Sequence, residues 1–220
     1  LTCYDYKGNS FIISGRQWLS VERYFHKKIA YYQAISDAQQ IAKGVKYPKK
    51  SKRVLRLYEK KRRQTLHILH SMTKKVVEIA ASQGVETIVI GDITGIRRDA
   101  NLGKKTNQKF HYLPYRKIIN MIKYKAVEKG ISVIKVTEEY TSQTCSVCKP
   151  FPSQKHAKKN NRKHRGLYVC EDCGTTINAD VNGAINISKK YLKEVGLPPQ
   201  SGVVLGTPTV YTFNGHQFVA

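Results

Sequence analysis

Two short motifs, Cys145-x-x-Cys148 and Cys170-x-x-Cys173, constrain this chain more than any other feature. Thiolates two residues apart form a knuckle whose sulfurs reach one tetrahedral ion at ~2.3 Å, and a second knuckle closes the coordination sphere. The pairs are separated by 21 residues, slightly beyond the usual window for a four-cysteine zinc site. The stretch between them has too little apolar content to fold alone, so the expected ion is a structural Zn2+ with no position open to water. His156 and His164 lie between the knuckles, but four thiolates already satisfy the ion; both are expected at the surface or facing phosphate. The remaining cysteine, Cys3, is expected to pack in a hairpin core. Matched pairs plus an odd cysteine point away from a disulfide framework and toward a reducing compartment.

Charge comes next. There are 39 Lys and Arg against 15 Asp and Glu, a formal net charge of +24. Such a surplus repels itself unless the partner supplies negative charge, which makes nucleic acid the leading candidate. The surplus is concentrated between residues 43 and 63, where Glu59 is the lone acid. Phosphate-backbone contacts are expected there from Lys49, Lys50, Lys52, Arg53, Arg56, Lys60, Arg62 and Arg63. No acidic residue lies from Lys149 to Val169, so Lys158, Arg162 and Arg165 of the ribbon are expected to lean on phosphates too. No apolar run approaches the ~20 residues needed to cross a bilayer, and no secretory leader pattern appears. The chain starts at Leu1-Thr2-Cys3 rather than Met, from which a missing upstream segment is expected.

Hydrophobic periodicity supplies the scaffold. Residues 2 to 14 read as a β-hairpin around Asp5-Tyr6-Lys7-Gly8-Asn9. Apolar residues at Trp18, Val21, Phe25, Ile29, Tyr32 and Ile35 predict a helix over 17–42. A second is expected over 51–82, with Leu55, Tyr58, Thr65, Leu66, Leu69, Met72, Val76 and Ile79 on its stripe. His67 and His70 fit an ordinary helix surface better than a metal pair. The β-branched run Val85 to Gly91 predicts a buried parallel strand. A polar, basic loop from 96 to 112, a helix over 113–129 and a second buried strand over 131–136 follow, which together make a right-handed βαβ crossover. A last helix is expected over 178–192, and the tail from Gly196 reads as irregular.

Acidic residues are scarce enough for two to stand out. Asp92 ends the first predicted parallel strand, where ligands of open α/β sheets gather. Asp180 opens the helix after the second knuckle, where the macrodipole favours an acid. Spacing alone leaves both as a turn former and a helix-start residue.

The ordered set, a Val-Ile-Gly-Asp strand end, then YKAVEKGISVIKVTEEYTSQTCSVC, then YVCEDCGTTINADVNGAINI, resembles the TnpB (OrfB) proteins of insertion sequences. These are RNA-guided DNA nucleases related to type V CRISPR effectors, and the similarity covers roughly Leu1 to Leu192. The resemblance implies an α/β, RNase H-like (RuvC) mixed sheet with a helical hairpin insertion and an inserted zinc ribbon. It places the nuclease core at 1–138, the ribbon at 139–177 and a final core helix at 178–195, before an irregular tail at 196–220. It also implies Asp92 and Asp180 as catalytic ligands of Mg2+, DNA and a guide RNA as partners, and a bacterial or archaeal cytoplasm, at the nucleoid. In that family a further carboxylate precedes the hairpin in a G-I-D-x-G stretch. The first strand is therefore expected to be missing here, supplied by an N-terminal segment or a partner chain; Asp5, in the hairpin turn, is a poor substitute. A nuclease-deficient nucleic-acid-binding repressor and a truncated transposase remnant are the alternatives.

Overall fold

The computed structural model describes residues 1–5, 7–93, 113–164, 166–199 and 206–220, and these fall into two units. One comprises Leu1–Ile12 and Val76–Val210, the other Ile13–Lys75 and Tyr211–Ala220. The expected basic loop at 96–112 lies outside the described residues, as does Arg165.

The second unit holds a helical hairpin, α1 (Arg16–Ala42) and α2 (Lys52–Ser82), the latter running on into the first unit. Ser51 starts α2 with its hydroxyl, which accepts from the Val54 amide at 3.4 Å. Phe25, Ile29 and Val54 form the seam, flanked by Val21, Tyr32 and Leu57. The buried faces follow the expected stripes at Trp18, Phe25 and Ile29 of α1 and at Leu69, Met72 and Val76 of α2, and depart from them elsewhere. On α1 the buried face runs through Trp18, Glu22, Phe25, Ile29 and Ser36, leaving Ile35 exposed, and on α2 Val54 is buried while Leu55 and Tyr58 are exposed. The reason is polar: Glu22 occupies a seam position because Lys61 and Thr65 of α2 satisfy its carboxylate. Apolar periodicity cannot register such a pair.

The tail expected to be irregular carries two antiparallel strands, β8 (Thr209–Phe213) and β9 (Phe218–Val219). Phe213 meets the His67 ring edge-on, with centroids 5.6 Å apart, and Lys75 lies over the Tyr211 ring at 4.7 Å. The Pro and Gly content of the tail hid these strands, whose stabilising partners are aromatic contacts distant in sequence.

In the first unit, β1 (Thr2–Tyr4) and β2 (Ser10–Ile13) pair antiparallel. Asp5 is the turn former, accepting from the Asn9 amide and side chain, both at 2.8 Å, while Gly8 takes the positive φ of +95° that the turn needs. β3 (Thr87–Asp92) and β4 (Ser132–Thr137) pair parallel, Gly91 opposite Val136 and Asp92 opposite Thr137. They are joined through α3 (Tyr115–Val127), whose Ile118, Ile119, Met121, Ile122 and Ala126 are buried. The same device turns a helix into each strand. Gly130, at φ +71°, follows α3, and the Ile131 amide reaches back to the Ala126 carbonyl at 2.9 Å; Gly84 and Val85 do the same after α2.

The ribbon is a three-stranded sheet, β5 (Arg162–His164), β6 (Leu167–Val169) and β7 (Thr176–Asn178), which passes directly into α4 (Ala179–Glu194). Asn178 caps α4, its side chain accepting from the amides of Asp180 and Val181 at 2.9 and 3.3 Å. α4 packs against β1, β3 and β4. Among the described residues no helix is long and apolar enough to cross a membrane.

Candidate metal centre and carboxylate site

Four sulfurs, from Cys145, Cys148, Cys170 and Cys173, lie within 4.8 Å of one another. Sγ of Cys145 and Cys173 are 3.8 Å apart, and those of Cys148 and Cys170 3.7 Å. A disulfide needs about 2 Å, whereas a tetrahedral ion at ~2.3 Å from each ligand separates its sulfurs by about 3.8 Å. The set therefore fits a metal such as zinc. Without an ion, burial pushes the Cys145 and Cys148 thiols up, while hydrogen bonding to Thr175 pulls Cys173 down to about 6. A divalent cation relieves this conflict by making all four thiolates favourable at once.

Local structure builds the cage. The Gly174 amide donates to the Cys170 carbonyl and the Cys170 amide to the Thr175 carbonyl, both at 2.9 Å, closing the second knuckle. Tyr168, fully buried, packs beneath Cys145 and Cys170 with Ala179 and Ile177. Its hydroxyl donates to the Gln143 carbonyl at 3.3 Å and accepts from Asn161 Nδ2 at 3.1 Å. The first knuckle is clamped by α4. Asn182 accepts from the Ser146 amide and donates to the Thr144 carbonyl, each at 2.9 Å, and Asn186 donates to the carbonyls of Thr141 and Thr144 at 2.8 and 2.7 Å. Lys189, also buried, donates to the Lys149 carbonyl at 2.6 Å, and its burial holds its ammonium below the usual range. Sequence reading passed over these residues, although their spacing of four and three along one helix face, next to a knuckle, was the available signal.

His156 is held by the Ser153 hydroxyl and the Phe151 carbonyl, at 3.1 and 3.2 Å from Nδ1. Neither it nor His164 joins the cysteine group. Lys149 and Lys158 both bind Asp172, and together they hold its carboxyl down at about 2. Arg162 reaches Asp180 at 3.7 Å. Two of the ribbon's expected phosphate-binding cations thus have acidic neighbours within the ribbon and at the start of α4. In the second unit Lys49, Lys50, Lys52, Arg53, Arg56, Lys60, Arg62 and Arg63 are all exposed. Arg53 is folded onto Tyr32, 3.7 Å above its ring, and Lys50 lies over Tyr58 at 4.5 Å.

Asp92 ends β3, and Asp180 is the exposed second residue of α4, the helix that packs on β1 and β3. A third acid, not singled out from sequence, stands beside Asp92. Glu138 follows β4, and burial first, then the Asp92 charge, pushes its carboxyl above the usual range. Among the described residues the cysteines are the only group of three or more potential ligands drawn together at ion-binding spacing.

The family described as "Probable transposase" matches residues 1–97, and the family described as "Cas12f1-like, TNB domain" matches residues 115–187. A TnpB-like protein of Acidianus two-tailed virus is 30% identical over 190 residues, which is 82% of this chain and 39% of that protein. The chain belongs to the TnpB (OrfB) family.

TnpB kinship extends to CRISPR proteins. The CRISPR-associated endodeoxyribonuclease Cas12f1 of Sulfoacidibacillus thermotolerans is 38% identical over 120 residues, covering 54% of this chain and 25% of that protein. The chain thus spans well under half the length of these relatives. A cryo-EM structure of a Cas12f ternary complex superposes with a TM-score of 0.56 at 22% identity, covering 82% of this chain and 34% of that one. A Cas12f1–sgRNA–target DNA complex gives 0.53 at 24%, covering 75% and 41%. This TnpB-family chain therefore has a mixed α/β fold similar to Cas12f.

Proposed function

We propose that the chain is the nuclease portion of a TnpB-like RNA-guided DNA endonuclease that hydrolyses phosphodiesters with Mg2+. The observation that carries this is the arrangement of one unit: Asp92 ends a parallel strand, Asp180 opens α4, and α4 packs on that strand, its parallel neighbour and β1. The names of the relatives, endodeoxyribonuclease among them, agree with it. An RNase H-like (RuvC) core accounts for the sheet pattern. Among the described residues β1–β2 and β3–β4 belong to different sheets, yet α4 packs on β1, β3 and β4. Such a core calls for a further strand bearing the family's first carboxylate, from an N-terminal segment or a partner chain. In this reading residues 1–138 and the helix 178–195 make the core, and 139–177 form a ribbon folded by structural zinc.

Hard oxygen donors at a strand end and a helix start suit Mg2+. When bound, that ion would supply charge stabilisation and an activated water for in-line displacement. The chain's own part is to hold Asp92 and Asp180 on packed elements, and to meet the nucleic-acid backbone with the exposed cations of α2. A second reading, a guide-directed binder that does not cut, is favoured by the Arg162–Asp180 ion pair.

The test is cleavage of a guide-matched DNA by the protein, with guide RNA, in Mg2+ or in chelator, assayed with and without the segment preceding Leu1. Cutting is expected with that segment present, and its loss in Asp92→Ala and Asp180→Ala. Salt-sensitive binding without turnover in every arm would transfer the protein to the second reading.

A further inference from the structure

We infer that Glu138, reaching across from β4, supplies the divalent-metal carboxylate at the end of β3, a place where the chain itself carries Gly91. The inference rests on the nuclease reading above and adds to it a ligand that the strand-end motif does not contain. A Cβ placed on Gly91 would lie 2.1 Å from Glu138 Oε1, 2.5 Å from its Cγ and 2.6 Å from its Cδ. Those distances are far inside van der Waals contact, so the Glu138 carboxyl fills the space where a side chain at position 91 would begin. Glycine inside a strand weakens it, and it is used where another group must approach the backbone closely. Gly91 is buried and does not have a positive φ, so room rather than backbone freedom explains the residue.

Glu138 is also held in place. The Thr141 hydroxyl and amide donate to the Glu138 carbonyl at 2.7 and 3.2 Å, closing a tight turn. Tyr140 in that turn has φ +62°, the only positive φ among the described non-glycine residues, a conformation that bulky side chains adopt at a cost. The turn is then tied to α4, because Asn186 donates to the Thr141 carbonyl. Asn186 stands six residues after Asp180, about 9 Å along the same rigid helix. The turn bearing Glu138 is thus referenced to the helix bearing Asp180, while Asp92 ends the neighbouring strand. Glu138 and Asp92 are neighbouring oxygen donors of the kind a hard cation takes, with Asp180 on the helix tied to their turn.

The experiment uses the full-length protein with its guide RNA and reads two quantities: Mn2+ affinity by electron paramagnetic resonance, and Mg2+-dependent cleavage. Glu138→Gln keeps shape and hydrogen bonding, and should weaken Mn2+ by at least the roughly 10–100-fold that outer-shell changes cost, with cleavage falling alongside. Gly91→Glu in the Glu138→Ala background should restore Mn2+ binding to within a few-fold, because the carboxyl then grows from the strand it was reaching across to. Gly91→Glu alone should impair the site by crowding. If Asp92→Asn and Asp180→Asn lose Mn2+ but Glu138→Gln binds it as tightly as the parent, the Glu138 inference is overturned and the nuclease reading stands. If the parent protein neither binds Mn2+ nor cuts, both fall together.

Discussion

Glu22 and His26 show how a single buried charge organises the helical hairpin. Glu22 is 7% exposed, and Lys61 Nζ sits 2.6 Å from its carboxylate, with the Thr65 hydroxyl at 3.2 Å. Lys61 also lies 3.4 Å from His26 Nε2, a contact that suits a neutral ring accepting from the ammonium. His26 accordingly has its pKa lowered from 6.5, by burial first and by the Lys61 charge second, with Glu22 opposing. A folded value below the unfolded one means the unfolded chain binds more protons. Stability is therefore unaffected above pH 6.5 and declines as pH falls from there toward the folded value. The ring is 40% exposed, so the decline is small. Urea unfolding between pH 7.5 and 5 should show this decline, and His26→Gln should flatten it; an unchanged slope in the variant would mean that other groups carry the pH response.

At the scale of elements, the ribbon and α4 behave as one piece, because Asn182 and Asn186 replace the missing partners of the first knuckle's backbone. Asn182 is fully buried and satisfies one amide and one carbonyl. Asn182→Ala leaves the Ser146 amide unpaired in the interior, at roughly 1–3 kcal/mol, while the Thr144 carbonyl keeps its bond from Asn186, and should let chelator strip the ribbon's metal at a lower concentration. Hydrogen exchange at Tyr168 and Cys170 would report the same loosening; zinc retention equal to the parent's would show that the thiolates hold the knuckle without α4. Much of this element was legible in the sequence. The cysteine spacing announced the cage, and the apolar runs bounded by Gly84, Gly91 and Gly130 announced the two parallel strands. Illegible were the asparagines, whose value depends on carbonyls about 40 residues away, and Glu138, whose role shows only once Gly91 is seen beneath it. The strands at 209–219 were hidden for the same reason, since their partners His67 and Lys75 lie on a helix far back in the chain.

For the molecule as a whole, a formal charge of +24 sets how it meets a polyanion, but the geometry narrows which cations serve. Lys149 and Lys158 bind Asp172, Arg162 reaches Asp180, and Arg53 stacks on Tyr32. Lys52, Arg56 and Lys60 differ, recurring at steps of four on α2, all exposed, whereas Arg63 pairs with Glu59 at 3.9 Å. That spacing makes one stripe along one helix face, a shape that can follow a phosphate backbone. Each phosphate neutralised releases condensed counterions, contributing about −0.9 to the slope of log affinity against log salt on duplex DNA. The triple variant Lys52→Gln, Arg56→Gln, Lys60→Gln should therefore flatten that slope by about 2–3 while leaving zinc content unchanged. Replacing Lys149, Lys158 and Arg162 should flatten it less, because their charge is already partly met within the fold. Fluorescence anisotropy across 50 to 300 mM salt separates the two sets, and equal slopes for both would mean that net charge, not the α2 stripe, governs binding.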